Sequence, residues 1–489
     1  MSRLSDMLPL SPLQRGMLFH SLYDEGGLDV YAVQVTVELR GPVNGDRLRA
    51  AAGGLLRRHP NLRAGFWHEG VPEPVQFVPT ELGLPVADLD LAGLPAQERA
   101  EALETATRTA LAERFVLHRP PLLRLLLVRL GPADHRLVVT AHHILVDGWS
   151  MPLLVRDLLD LYDHCGDTSA LPAVRPYRDH LAWLARQDTD AARRAWAEAL
   201  AGLDAPTLLT VPDPGRAPVR PGVRETMLPE GMTAALTALA RRCGITPSTL
   251  VQCAWAMLLG VLTGRDDVVF GLTVAGRPAE VPGSESMVGL FINTVPVRVA
   301  LRPAEPFDRL LRRVAAEQAR LLDHHHLGLD DVQRQAGLGD LFDTLVVIEN
   351  YPVDPSARAP LAGGATVGEI GARDATHYPL TLAVGLGKRI VLQTEYRPDV
   401  IDARHAESIT RRLVRLLEQV AVASAVPVGR FDLLDDDERA RLRTEGTGPS
   451  RPVRAGTVAD RFAERAAVSP GATAVVCGQA SLTFAQVSG

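Results

Sequence analysis

Val138-Val139-Thr140-Ala141-His142-His143-Ile144-Leu145-Val146-Asp147-Gly148-Trp149-Ser150 is the stretch on which the reading of this chain turns. Leu137 to Ala141 is an apolar and β-branched run of strand length, and it passes straight into His142. Neighbouring strand side chains point to opposite faces, so only one of His142 and His143 can face a given cavity while the other packs behind it. Asp147 is placed to return towards the strand end. Gly148 is expected to permit a sharp turn before a helix over Met151 to Tyr162. A lone histidine beside an apolar strand is more often structural than functional, but the joint pattern His-His-x-x-x-Asp-Gly is rarer. A His/His/Asp set can bind a metal, yet adjacent histidines diverge and no further ligand cluster accompanies them. A Ser-His-Asp hydrolase would need Gly-x-Ser-x-Gly, which the chain lacks.

Outward from this stretch, strands and helices alternate. Ser11-Pro12-Leu13-Gln14 has the pattern of a capping box, with Pro12 at the first helical position and Gln14 reaching back. Val33, Val35, Val37 and Leu39 alternate with polar residues as a half-buried strand does. Leu48 to Leu56 reads as a helix despite Gly53-Gly54, and Leu125 to Val128 as a buried strand.

A second series begins near Tyr177. Helices are expected over Ala191–Leu203, over Thr233–Cys243 and from Thr246-Pro247 to Leu262. Strands are expected at Val268–Phe270, Thr294–Val299, Thr344–Ile348, Leu380–Val384 and Ile390–Tyr396, followed by a long helix over Ala403–Val420. Asp435 to Leu442 looks helical, and Arg443 to Gly456 has the composition of a linker. Thr457 to Gly489 then starts something new: a helix at Val458–Ala466, a strand at Ala472–Cys477 and an edge at Leu482-Thr483-Phe484. The division expected is two lobes at 1–175 and 176–432, a linker at 433–456 and a short further segment at 457–489.

Composition narrows the partners. With 46% apolar and 22% charged residues, the 489-residue chain is neither disordered nor fibrous. Its 52 basic residues are spread along a chain of net charge −6, so no basic block marks nucleic acid. Four scattered cysteines without Cys-x-x-Cys fit a reducing, cytoplasmic compartment. No long apolar run follows the N-terminus to suggest a secretory signal. The most apolar stretch, Leu122 to Leu130, is interrupted by Arg124 and Arg129, so no membrane partner is expected.

Several motifs in order resemble the condensation domains of nonribosomal peptide synthetases, relatives of chloramphenicol acetyltransferase that carry His-His-x-x-x-Asp-Gly. Leu10-Ser11-Pro12-Leu13-Gln14-Arg15-Gly16-Met17-Leu18-Phe19-His20 resembles the family's opening helix. Arg58-His59-Pro60-Asn61-Leu62-Arg63 resembles its Arg-His-x-x-Leu-Arg element, and Met287-Val288-Gly289-Leu290-Phe291-Ile292-Asn293-Thr294 its floor loop. Leu341-Phe342-Asp343-Thr344 through Glu349-Asn350-Tyr351-Pro352 matches a later motif, so the resemblance runs from residue 7 to about 430. Val458 to Phe462, Ser469-Pro470 and Ala472 to Phe484 resemble the opening of an adenylation domain, without that family's ATP-binding loop.

The resemblance implies an α/β fold of two α+β two-layer lobes, each like chloramphenicol acetyltransferase. They would form a V-shaped pseudo-dimer around a central tunnel, with carrier proteins docking at opposite mouths. The reaction implied is attack by the amine of an acceptor aminoacyl-thioester on a donor peptidyl- or aminoacyl-thioester. His143 would face the tunnel as general base or as a hydrogen-bond partner of the amine, and the Gly148 N–H would support the intermediate. His142, Asp147, Arg277, Arg63 and Asn293 would support the site, Asp147 by pairing with Arg277. Taken alone, Arg58, Arg63 and Arg277 read equally well as scaffold arginines, and Asn293 as a loop hydrogen-bonder. His324-His325-His326 reads as a solvated structural segment.

No bound cofactor or metal is implied, the 4'-phosphopantetheine arms belonging to the upstream donor and downstream acceptor carriers. The motif variants, among them His377-Tyr378-Pro379-Leu380, resemble the type joining a D-configured donor to an L-acceptor, although Arg15 stands where that type often has Glu. Intact histidines argue against the competing reading, a degenerate domain that recruits carriers or tailoring enzymes. Because the opening helix lies so close to Met1, the donor is expected on a separate upstream protein.

Overall fold

The computed structural model describes residues 4–23, 29–213, 219–349, 359–448 and 456–489. They divide into two units, one ending at Leu433 and one running from Leu434 to Gly489. The first unit opens with β1 (Leu4–Pro9), α1 (Pro12–Tyr23), β2 (Ala32–Arg40) and α2 (Gly45–Arg58). It continues with β3 (Gly65–Trp67), β4 (Val75–Pro79), β5 (Val86–Asp90) and α3 (Ala96–Ala112). Next come β6 (Leu123–Gly131), β7 (Asp134–His142), α4 (Ser150–Asp163), α5 (Arg178–Leu184) and α6 (Thr189–Leu200).

The second half supplies β8 (Gly222–Met227), α7 (Glu230–Cys243), α8 (Pro247–Thr263), β9 (Asp267–Val274) and β10 (Asn293–Ala300). It ends with α9 (Phe307–Leu321), α10 (Leu329–Ala336), β11 (Thr344–Glu349), β12 (Thr366–Arg373), β13 (Leu380–Leu386), β14 (Ile390–Tyr396) and α11 (Ala403–Val422).

Local chemistry sets the boundaries. At α1 the Ser11 backbone N–H donates to Gln14 Oε1 at 2.9 Å, and the Gln14 N–H donates back to Ser11 Oγ at 3.3 Å. Asn44 caps α2 by accepting from the backbone of Asp46 and Arg47. Thr246 and Pro247 start α8, and Gly264 stops it in the left-handed region at φ 67°.

Two cores form. Val37, Leu39, Leu55, Val139, Leu154 and Leu158 are buried in the first. Trp196, Trp255, Phe270, Phe307, Leu382 and Leu413 are buried in the second. The first core's sheet has the order β12-β2-β7-β6-β5, and the second's is six-stranded in the order β10-β9-β11-β13-β14-β8. β7 is central and antiparallel to β2, with Ala32 opposite His142. This pairing puts the two histidines at the end of a buried strand. β12 comes from the second half of the chain and pairs antiparallel with β2, Gly371 opposite Thr36. It therefore completes the first sheet from beyond residue 176. The loop after it lies beside the histidines.

β12 has no apolar alternation and is largely exposed, which is why the sequence reading omits it. α9 is also omitted, although Phe307, Leu310, Leu311 and Val314 lie buried at helical spacing. No single described helix is long and apolar enough to cross a membrane. The one bent pair that passes together, α7 with α8, contributes its apolar residues to the second core.

The second unit holds α12 (Asp436–Gly446), α13 (Val458–Val468), the antiparallel strands β15 (Thr473–Cys477) and β16 (Ala480–Thr483), and α14 (Phe484–Ser488). α12 occupies Arg443 to Gly446, which the sequence reading gave to the linker, while residues 449–455 of that linker lie outside the described ones. Thr457 and Asp460 form a capping box at α13, and the Phe462 and Phe484 rings pack at 5.3 Å.

Candidate active site

β7 delivers His142 and His143 into different surroundings. His142 is fully buried against the rings of Tyr31 and Phe115. Its Nδ1 accepts from the Ile144 backbone N–H at 3.0 Å, and its Nε2 lies 3.5 Å from Asp29 Oδ2. Burial, with His143 and Arg114 nearby, pushes its pKa down to about 3, so His142 is a neutral packing group. His143 is anchored by its backbone, whose N–H donates to the Tyr31 carbonyl at 2.7 Å. Its ring is turned the other way, with Nε2 3.6 Å from Asp374 Oδ2 in the loop after β12. Burial disfavours the His143 imidazolium, but the Asp374 carboxylate, aided by Asp147, outweighs it and holds the pKa above the ordinary value.

Asp147 does not face this space. Its Oδ1 accepts from the Ser150 backbone N–H at 2.8 Å and from Arg277 Nη2 at 3.3 Å. Its Oδ2 accepts from the backbone N–H groups of Phe291 and Ile292 at 2.9 and 3.3 Å. Arg277 is itself held by the carbonyls of Ser284 and Met287, by Ser150 Oγ, and by the Phe291 ring 3.9 Å beneath its guanidinium. Ser150 Oγ also donates to the Gly289 carbonyl at 2.7 Å. One buried carboxylate thus joins the start of α4 to the loop between β9 and β10. Gly276 lets that loop close: its φ is +57°, and a Cβ there would lie 1.8 Å from the Phe291 carbonyl oxygen.

Gly148 lies in a turn directly before α4, as expected, without a positive φ. The Asp147 hydrogen bonds hold that turn in place. No described residue accepts from the Gly148 backbone N–H.

The remaining predicted residues make their described hydrogen bonds to other segments. Arg63 Nη1 donates to the Leu56 carbonyl at 3.2 Å, and Asn293 Nδ2 donates to the carbonyls of His325 and Leu327 at 2.8 and 2.7 Å. The three histidines at 324–326 are partly exposed and serve structure, the His324 carbonyl accepting from Trp196 Nε1 and His326 Nδ1 lying 2.9 Å from the Asp323 carbonyl. Asn350, Tyr351 and Pro352 lie outside the described residues.

Sequence reasoning missed a strut. Arg58 Nε and His59 Nε2 both meet Asp157 Oδ2 of α4, at 2.7 and 2.9 Å, while Asn61 Nδ2 donates to the Val288 carbonyl. These contacts and Ser150 brace the Asp147 turn from below. Asp374 was missed as well: the only signal near it was the His377-Tyr378-Pro379-Leu380 motif three residues on, which does not include it.

Buried histidines make the fold acid-sensitive. His142 and His377 are pushed down to about 3, and His180 and His325 to about 4, burial being the first cause in each. In the unfolded chain each would bind a proton near pH 6.5. Below that pH the unfolded state holds more protons, so stability falls by about 1.4 kcal/mol per pH unit for each such group until its folded pKa is reached. His143 has the opposite sign: it adds stability that is present below its ordinary pKa and lost as pH rises through its raised one. Glu395, whose carboxyl is pushed up to about 7 by burial, also opposes the trend, and four groups outweigh these two. The melting temperature is expected to drop steeply between about pH 6.5 and 4.5; thermal scans showing a flat profile there would refute this.

Comparison with known proteins follows the same lines. The family profile described as "Condensation domain" matches residues 4–443. A linear gramicidin synthase protein of Brevibacillus parabrevis is 33% identical over 497 residues, spanning 99% of this chain and 6% of that protein. Surfactin synthase subunit 3 of Bacillus subtilis (strain 168) is 30% identical over 492 residues, spanning 99% of this chain and 38% of that protein. The chain thus spans only a small part of these relatives. Among solved structures, the starter condensation domain of rhizomide synthetase RzmA superposes with a TM-score of 0.74 at 22% identity, covering 88% of this chain and 98% of that one. That likeness concerns the fold.

Proposed function

The chain belongs to the condensation-domain family, and from that premise we propose that it forms peptide bonds in nonribosomal peptide synthesis. The acceptor aminoacyl-thioester on a downstream carrier supplies the amine, and a donor peptidyl- or aminoacyl-thioester on an upstream carrier supplies the acyl group. Both arrive on 4'-phosphopantetheine arms, so the chain needs no cofactor of its own. The observation that supports this reading is the intact loop: His143 held by the Tyr31 carbonyl, with Asp147 locked to Arg277 and the loop before β10.

In this reading His143 is the catalytic residue, Gly148 offers its free N–H to the tetrahedral oxyanion, and Asp147, Arg277 and His142 are positioning residues. An α-amine of pKa near 8 is partly unprotonated at neutral pH, so positioning supplies much of the rate. Arg63 and Asn293 act only through the packing of neighbouring loops. Residues 457–489 are the opening of an adenylation domain, and the setting is cytoplasmic, in keeping with four unpaired cysteines.

The donor is D-configured, on the motif variants at Ser11 to His20, His142 to Ser150 and His377 to Leu380. Donor and acceptor carriers loaded with matched D- and L-donors, incubated with the full chain and followed by intact-protein mass spectrometry, test this. Product from the D-donor alone is expected. Product from the L-donor alone would overturn the stereochemical assignment. No product from either, with carriers still bound, would favour a recruitment module.

A further inference from the structure

Three features meet on one side of His143. Asp374 brings a half-exposed carboxylate to 3.6 Å from Nε2. Its loop is tied to the six-stranded sheet, Thr376 Oγ1 and Thr381 Oγ1 lying 2.7 Å apart, and Thr381 is the register partner of Glu395. Leu380, Leu382 and Leu392 pack into the second core, so by strand alternation Thr381 and Glu395 occupy the opposite face, where this loop sits.

Charge is unbalanced there. Glu395 is buried, and Gln393 Nε2 donates to its Oε1 at 2.7 Å. Burial first, then the nearby carboxylates of Asp374 and Glu349, push its pKa up to about 7. Among the described residues neither Asp374 nor Glu395 pairs with an arginine or lysine. His143 is only 8% exposed, and its Nδ1 finds no hydrogen-bond partner among them. The other ionisable groups close enough to influence His143 are Asp147, whose oxygens are engaged beneath the turn, and neutral His142 on the opposite face of the strand.

We infer that Asp374 and His143 together seat the amino group of the acceptor, with Glu395 as the second carboxyl behind it. This rests on the condensation reading. A gap of 3.6 Å is long for a direct hydrogen bond, yet one nitrogen fits within about 2.9 Å of both Oδ2 and Nε2. The acceptor enters as an ammonium, whose positive charge supplies what the two carboxyls lack. It donates one hydrogen to Asp374. A second N–H bond breaks as its proton passes to neutral His143 Nε2, and Asp374 stabilises the imidazolium formed. The electron pair left on nitrogen attacks the thioester carbonyl carbon. The C–N bond forms, the C–S bond breaks, the departing thiolate takes up a proton released by the new amide nitrogen, and His143 returns its proton to solvent.

The test uses the full chain with 13C-labelled histidine, His143 being assigned with H143A, and compares wild type with D374N and D374E. The probes are the N-acetylcysteamine thioesters of L-leucine, a cation, and of L-leucic acid, its neutral hydroxy counterpart. The amine probe is expected to shift the His143 resonance in wild type and D374E, to need about tenfold more in D374N for the loss of one charged contact, and the hydroxy probe to do far less. The His143 titration should move to lower pH in D374N and back in D374E, a change that loosened packing would not reverse.

An unaltered His143 titration in D374N, equal responses to the two probes, or no response to either would overturn the proposal. Carrier-based turnover is read separately. Amine-specific, Asp374-dependent binding without amide formation would sink the condensation reading and leave the amine seat standing.

Discussion

His143→Ala is expected to lower amide formation by about a hundredfold or more while leaving the fold intact. The side chain's only described polar partner is Asp374, itself half exposed, so truncation strands no deeply buried charge. What disappears is the one imidazole at the end of β7 that faces away from the first core. Single-turnover measurements with a preloaded donor carrier separate the effect: the chemical step should slow while donor binding stays near wild type. The acid limb of the pH–rate profile should vanish with the side chain, because His143 must be neutral to accept a proton and Asp374 holds its pKa up. Wild-type rates in the alanine variant would remove His143 from the mechanism altogether.

Asp147→Ala should cost stability as well as rate. Asp147 and Arg277 are almost completely shielded from water, their side chains 0% and 5% exposed. Removing one partner of a buried ion pair costs about 3–5 kcal/mol, because the remaining charge stays buried without compensation. The backbone N–H groups of Ser150, Phe291 and Ile292 lose their acceptor in the same step. Against a typical domain stability of about 5–15 kcal/mol, that loss is severe. Urea unfolding of the variant should show a clearly lower midpoint, with condensation reduced in the fraction that stays folded. Asp147→Asn, which keeps one acceptor oxygen, should fall between. Removing Asp330 from its exposed pair with Arg334 should change little, since solvent screens that interaction. An unchanged midpoint in Asp147→Ala would mean that the turn is held by packing alone.

Much of this was legible in one dimension. The alternation in β2, the Ser11–Gln14 cap, the Thr246-Pro247 start of α8 and the run through β7 are local signals, carried by residues within one or two turns of each other. The order of motifs was enough to suggest the family, and the pattern at 142–148 located the loop that the structure shows braced on every side. Even there, function and support could not be separated by spacing. Asp147 and His143 are equally prominent in the motif, yet one is sealed beneath the loop and the other faces the second half of the chain.

Tertiary structure decided the rest, and for one physical reason. A polar loop residue carries no periodicity, so its role depends on what the fold brings opposite it. Asp374 lies 231 positions beyond His143 in the chain (374 against 143) and meets it only because β12 crosses over to pair with β2. Asp157 gathers Arg58 and His59 because α4 packs on α2. Gly148 sits in the expected turn before α4, and it is the side chain of Asp147 that ties this turn to the loop before β10. By itself the sequence determined most of the strands and helices, though not β12 or α9, and singled out the His142–Gly148 loop. Which carboxylate faces the histidine, and which merely holds it in place, was settled by contacts across the two cores, where burial and charge rather than spacing select the partner.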